Sequence, residues 1–118
     1  MSKPNLTIDV RQRTLAGAVL DIHGDLTGTG EDVLMDAYHQ ATARGARIIC
    51  LNFTDLQYMN SSGIGLLVTL LIRVQRQRQK MVAFGLSSHY QQIFDLTRLN
   101  EAITIYAGEA AALGAAVM

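Results

Sequence analysis

Asn60-Ser61-Ser62-Gly63 stands directly ahead of a long apolar helix pattern and is the segment of this chain best placed to do chemistry. Asn and Ser at a helix start accept hydrogen bonds from first-turn N–H groups, and such a cap contributes about 1 kcal/mol. A serine there also faces the positive end of the helix dipole, which favours a phosphoryl group by about 0.3–1 kcal/mol. The pattern leaves both readings open: a plain cap, or a cap that carries a phosphate acceptor. Other chemistries find less to work with. His23, His39 and His89 are scattered and Cys50 is the only cysteine, so no ligands fall at metal-site spacing. Gly63-Ile64-Gly65 lacks the third glycine of a dinucleotide fingerprint because Val68 stands in its place. There is no Gly-Lys-Ser/Thr phosphate loop, and neither Ser61 nor Ser62 has the flanking glycines of a hydrolase nucleophile elbow. No catalytic residue, metal or cofactor is expected.

The 118 residues fit one domain able to bury about two-thirds of its unfolded surface. Charged residues make up 17%, below the roughly 25% of an average domain, and ten Lys+Arg balance ten Asp+Glu. Without a basic excess, nucleic-acid binding is not expected. Cys50, among Ile48, Ile49, Leu51 and Phe53, reads as a buried strand thiol in a reducing compartment. No apolar leader precedes Leu6, and the uncharged run over residues 56–72 is interrupted by Gln57, Asn60, Ser61, Ser62 and Thr69. It falls short of the about 18 mainly apolar residues of a membrane span, so a soluble, cytoplasmic protein is expected. The balanced charge is segregated: residues 14–72 hold six acids against Arg44 and Arg47, whereas Arg73, Arg76, Arg78 and Lys80 form a basic stretch. A solvated helix end or a partner contact would each explain that stretch.

Strands and helices must alternate to position the serine segment. Leu6, Ile8 and Val10 alternate with Thr7, Asp9 and Arg11, and Ala18, Leu20 and Ile22 with Val19, Asp21 and His23, a strand period broken by a turn at residues 12–14. Thr29 is a candidate N-cap ahead of Glu31 and Asp32, opening a helix with Val33, Leu34, Ala37, Tyr38 and Ala41 that Gly45 stops. Residues 47–53 form the apolar run of a strand buried on both faces, and residues 54–60 a loop. The next helix spans residues 62–79, apolar over about two-thirds of its circumference, with Gly65, Thr69, Arg73 and Arg76 left as a narrow exposed stripe. Residues 81–86 and 103–106 read as strands, Ser88 as the cap of a short helix with Ile93, Phe94 and Leu96, and residues 108–116 as an Ala-rich helix. Pro4 falls outside every element. The order β-β-α-β-α-β-α-β-α predicts a single α/β domain over residues 1–118 with a mixed sheet.

At these residues the chain resembles the STAS domain family, and within it the bacterial anti-sigma factor antagonists. The resemblance rests on the strand at 48–53, Asp55, Met59-Asn60-Ser61-Ser62-Gly63-Ile64-Gly65 and the apolar helix behind it. It continues through Met81-Val82-Ala83-Phe84-Gly85-Leu86, Ile93-Phe94-Asp95-Leu96-Thr97-Arg98-Leu99, residues 103–106 and the Ala-rich end, covering about residues 5–116 in order. It implies a sheet with helices packed mainly on one face. It also implies a regulatory role, in which the unmodified protein binds an anti-sigma factor, often itself a serine kinase, and so frees a sigma factor. Phosphorylation of the first serine of the motif, here Ser61, breaks the complex, and a serine phosphatase restores it. Ser62 is the neighbouring alternative acceptor. A phosphate adds about −1.5 to −2 charges, and a penalty of ~4 kcal/mol on burying it would weaken binding about a thousandfold. The family's usual residue before that serine is Asp, whereas this chain has Asn60, which keeps the capping geometry and removes a charge.

The expected partner surface comprises Asn60, Ser62 and Gly63, the stripe of Gly65, Thr69, Arg73 and Arg76, and the loop at residues 25–30 with Asp25, Thr27 and Gly28. Asn60 prompts an alternative, a STAS interaction module serving as a scaffold or transport-complex subunit without phosphorylation. A small-ligand or nucleotide-binding module using the N–H groups of Gly63 and Gly65 is a third reading.

Overall fold

The computed structural model describes residues 5–117, with side chains placed through residue 114; Pro4 lies outside that range. Leu6–Gln12 (β1) and Gly17–Leu26 (β2) pair antiparallel, with Ile8 opposite Ile22 and Val10 opposite Leu20. Glu31–Ala43 (α1), Ile48–Met59 (β3), Ser61–Arg76 (α2), Lys80–Phe84 (β4), Ser88–Thr97 (α3), Thr104–Tyr106 (β5) and Glu109–Val117 (α4) follow. The sheet order is β1-β2-β3-β4-β5, and every pairing from β2 to β5 is parallel. This is the mixed sheet and the alternation that the hydrophobic periods predict.

Side-chain alternation along the strands divides the interior into two layers. Leu20, Ile22, Ile49, Leu51, Phe53 and Ala83 point to one face, where Leu34 and Ala41 of α1, Leu67 and Leu70 of α2, and Phe94 of α3 cover them. Val19, Ile48, Cys50, Val82 and Phe84 point to the other, covered by Ala112 and Leu113 of α4. Three helices thus lie on one face and one on the other. Cys50 is fully buried, and that burial pushes its thiol up to about 12, which leaves it neutral and unreactive at neutral pH.

Several expected boundaries move, each for a physical reason. Residues 54–59 are strand and not loop, because β2 continues to Leu26 and goes on pairing: His23 with Asp55, Asp25 with Tyr58, Leu26 with Met59, across two irregularities. Thr54, Asp55 and Gln57 are exposed there, so the apolar signal fades while the backbone ladder persists. Thr29 caps nothing; Gly30 is the N-cap of α1, and the Thr29 hydroxyl lies 3.1 Å from that of Thr27 within a 3-10 turn at Gly28–Gly30. The hairpin turn occupies residues 13–16, not 12–14. Ser87, not Ser88, caps α3 by accepting the Tyr90 N–H at 3.4 Å, and Leu96 is 84% exposed because only one side of this short helix meets the sheet. Helix α2 ends at Arg76; Arg78 takes φ 57° and Gln79 turns inward.

An ionic cluster fastens α4 to the sheet. Arg11 of β1 donates to Asp21 of β2 at 2.9 Å and to Glu109 of α4 at 2.6 Å, and Asn52 donates to Asp21 at 2.8 Å. Burial alone would raise the Asp21 carboxyl, but the bonds from Arg11 and Asn52 outweigh it and hold it below the usual range; the Arg11 bond does the same for Glu109. Carboxyls depressed in the folded state contribute stability at neutral pH that is lost as pH falls through their folded values. We expect Arg11→Met to lower stability at pH 7 by about 2 kcal/mol. Urea unfolding between about pH 7 and pH 3 should show the variant losing less on acidification than the wild type, because it has already lost the pairing.

Candidate functional site

The serine segment sits where β2 and β3 end together. Their register brings Leu26 beside Met59, and the Asn60 N–H then bonds to the Leu26 carbonyl at 3.4 Å. From α3, the Tyr90 hydroxyl accepts the Met59 N–H at 2.9 Å and fixes the end of β3 one residue before the cap. Asn60 is extended, and its side-chain oxygen accepts the Gly63 N–H at 3.0 Å, while its carbonyl accepts from Ile64 at 3.0 Å. The cap expected of Asn60 is therefore formed. It uses the Gly63 donor and leaves the Ser61 and Ser62 N–H groups directed out of the helix end.

Gly63 is set by space. A Cβ built on it would lie 1.9 Å from the Leu26 carbonyl oxygen, so the first turn of α2 rides directly on the end of β2. Both serines are exposed, but they are not equivalent. A Cβ at Gly28 would come within 3.3 Å of the Ser62 Cβ, which places Ser62 against the β2–α1 turn. Ser61 is the one that leads the helix into solvent.

Of the expected surface, Asn60, Ser61, Ser62, Gly63 and Gly28 come together at this end. Thr27 turns its hydroxyl to Thr29, and the Asp25 carboxylate accepts from the Asn5 side chain at 2.9 Å, toward β1. Arg73 and Arg76 lie 12 and 15 residues beyond Ser61, which at the helical rise is about 18 and 22 Å away. The exposed face of α2 is also wider than a narrow polar stripe. Val68 and Ile72, expected in the core, are 39% and 45% exposed. At about 100° per residue, Ser61, Gly65, Val68 and Ile72 fall within roughly 60° of one another. Gly65 and Thr69 are exposed on the same side, and the Thr69 hydroxyl is tied back to the Gly65 carbonyl at 3.1 Å. The serine thus heads an exposed apolar seam, flanked by Thr69 and the arginines. The i, i+4, i+7, i+11 spacing from Ser61 carries that seam in the sequence. Tyr90 and Gln79, which brace the two ends of the face, carry no comparable signal.

Among the described residues, no group of three or more His, Cys, Asp or Glu side chains converges as metal ligands do, and no helix is long and apolar enough to cross a membrane. His23 lies between two carboxylates, 3.2 Å from Asp9 and 3.0 Å from Asp55.

Residues 6–112 match the family model for the STAS domain. The chain is similar to the anti-sigma-B factor antagonist of Bacillus subtilis, 30% identical over 104 residues, covering 87% of this chain and 93% of that protein. Its fold is similar to the crystal structure of an anti-sigma factor antagonist from Mycobacterium paratuberculosis, with TM-score 0.79, 16% identity and all of both chains covered. It is likewise similar to the Bacillus cell fate determinant SpoIIAA in its phosphorylated form, with TM-score 0.71, 19% identity, and 92% and 98% of the two chains covered.

Proposed function

Taking the chain as a member of the STAS domain family, to which it belongs by the match over residues 6–112, we propose that it is an anti-sigma factor antagonist whose complex with an anti-sigma factor is broken by phosphorylation of Ser61. The observation that carries this reading is the placement of an exposed serine at the first position of a capped helix, heading an exposed seam of Gly65, Val68 and Ile72. The relatives' names, and the existence of a phosphorylated form of one of them, support it.

The chemistry needs little from this chain. A serine kinase transfers the γ-phosphoryl group of ATP to the Ser61 hydroxyl oxygen, giving ADP and releasing the hydroxyl proton; a phosphatase returns serine and inorganic phosphate. In the free protein the new dianion sits at a helix N-terminus, beside N–H donors the Asn60 cap does not use, so the fold tolerates it. In the complex the same dianion must lie against a partner pressed onto the seam, away from water and without a cation from this chain's own first turn. The free state accepts the phosphate and the bound state does not. Asn60 supports the cap with no charge of its own, so the repulsion comes from the phosphate.

With its cognate kinase and ATP, the wild-type chain should take up one phosphate and Ser61→Ala none. Full labelling of Ser61→Ala would remove the assignment. If wild type is not labelled and Ser61→Glu binds the partner as well as wild type does, the unphosphorylated scaffold reading holds instead.

The seam itself is testable without the kinase. A Cβ on Gly65 meets nothing within 4 Å, so alanine there should raise stability by about 0.5–1 kcal/mol, the usual gain over glycine in a helix. If the partner's backbone approaches this bare spot, Gly65→Ala and Thr69→Trp should both weaken the complex by about tenfold or more, equivalent to about 1.4 kcal/mol, without loss of thermal stability. Unchanged affinity in a calorimetric titration would move the partner elsewhere.

A further inference from the structure

The end of the domain opposite Ser61 is strongly basic. Arg44 closes α1, Arg73 and Arg76 lie in the last turn of α2, and Arg47, Arg78 and Lys80 lead into β3 and β4. These six are most of the chain's ten Lys and Arg, and among the described residues none of them forms an ion pair. The helix dipoles do not account for them. Two helix C-termini supply about −0.5 charge each, roughly one charge against six. Glu101, before β5, reaches the same end and pairs with none of them.

Between the ends of α1 and α2 lies a groove of about 390 Å³, lined by Tyr38, His39, Thr42, Arg73, Arg76 and Gln77. Its lining has no acid, and its floor is tied together by hydrogen bonds. Buried Gln79 accepts from the Tyr38 hydroxyl at 2.7 Å and donates to the Thr42 hydroxyl oxygen at 3.0 Å and to the Ala46 carbonyl at 2.8 Å. Thr42 therefore accepts from below and keeps its own O–H to donate outward. Two guanidiniums, a hydroxyl, a carboxamide and an imidazole converge on one concavity, a donor set that suits carboxylates.

We propose that this groove binds an acidic segment of the partner protein, a second contact about 22 Å from Ser61 along α2. It rests on the function proposed above only for whose segment it is. The concave shape favours side chains over a lipid surface, although Leu15, at the hairpin tip of the same end, is 96% exposed. Because the groove is remote from Ser61, its contribution to binding is the same for the unmodified and the phosphorylated chain, too small to hold the complex alone, and it makes association salt-dependent.

The probe is a short peptide of alternating glutamate and serine, titrated into the full ¹⁵N-labelled chain. We expect amide shifts at His39, Thr42, Arg73 and Gln77 and none at Ser61, Gly63 or Arg98. Arg73→Glu with Arg76→Glu should weaken the peptide by about tenfold or more at about 0.05 M salt, and the difference should shrink at about 0.5 M. Arg73→Gln with Arg76→Gln, which removes the same two charges without reversing them, serves as a second variant should the first unfold. Ser61→Glu should bind the peptide as wild type does, so a failed kinase assay and a failed groove are separable results. Shifts spread evenly over Arg98 and the groove, or untouched by both double variants, would overturn the proposal. So would Leu15-dependent binding to phosphatidylserine vesicles that the peptide does not compete.

Discussion

Replacing Gly63 with alanine is expected to destabilise the domain by about 3 kcal/mol, although the change adds one methyl group in a helix, where alanine is ordinarily preferred. The added carbon would lie 1.9 Å from the Leu26 carbonyl oxygen, 2.7 Å from its carbon and 3.1 Å from Met59 Cγ. Two of those atoms are backbone at the end of β2, where a side chain cannot swing aside. Helix α2 must lift, which stretches the Asn60 N–H to Leu26 bond and disturbs the Asn60 cap. Gly65→Ala, two residues along with open space around it, is the matched control and should move stability the other way. Urea unfolding of the pair would show it: a Gly63→Ala midpoint at or above wild type would mean that α2 does not ride on β2 as described. A surviving but lifted Gly63→Ala protein should also lose partner affinity, because the lift carries Ser61 with it.

Ser61→Glu should leave the fold intact and weaken the complex with the anti-sigma factor by about a hundredfold, about 2.7 kcal/mol. Glutamate brings one negative charge in place of the phosphate's −1.5 to −2, so its effect should fall below the roughly thousandfold expected of the phosphoprotein. Stability should hold or rise slightly, because an acid in the first turn complements the helix dipole by about 0.3–1 kcal/mol. That combination separates a switch from a structural serine. Ser62→Glu is the counterpart: Ser62 packs against the turn at Gly28, so its loss of binding should come with loss of stability.

The element order, the mixed sheet and the Asn60 cap were legible because each leaves a strong local mark: a strand period of two, an apolar helical run, and a capping residue followed by Gly63. What escaped is non-local. Residues 54–59 are held in β3 by the register with β2 and not by their own polar composition, so the pattern suggested a loop. Val68 and Ile72 looked like core because apolar side chains usually are; that no element covers their side of α2 is a fact of packing. Arg73 and Arg76 looked continuous with the serine because they share its helix, yet the helical rise carries them to the opposite pole, where Arg47, Arg78 and Lys80 join them from the strand ends. Gln79, a strand-flanking polar residue in the sequence, is buried and ties α1 to the connection ahead of β3 through Tyr38, Thr42 and the Ala46 carbonyl.

One phosphate on Ser61 is proposed to weaken the complex with an anti-sigma factor far enough to break it while leaving the fold unchanged. Calorimetric titration of the cognate anti-sigma factor with unmodified chain and with chain phosphorylated at Ser61 tests it directly, at one salt concentration and with thermal unfolding of both forms alongside. The expected result is an affinity about a thousandfold weaker for the phosphorylated form, about 4 kcal/mol, with closely similar unfolding temperatures. Equal affinities, or a loss of affinity matched by a collapse in stability, would contradict it.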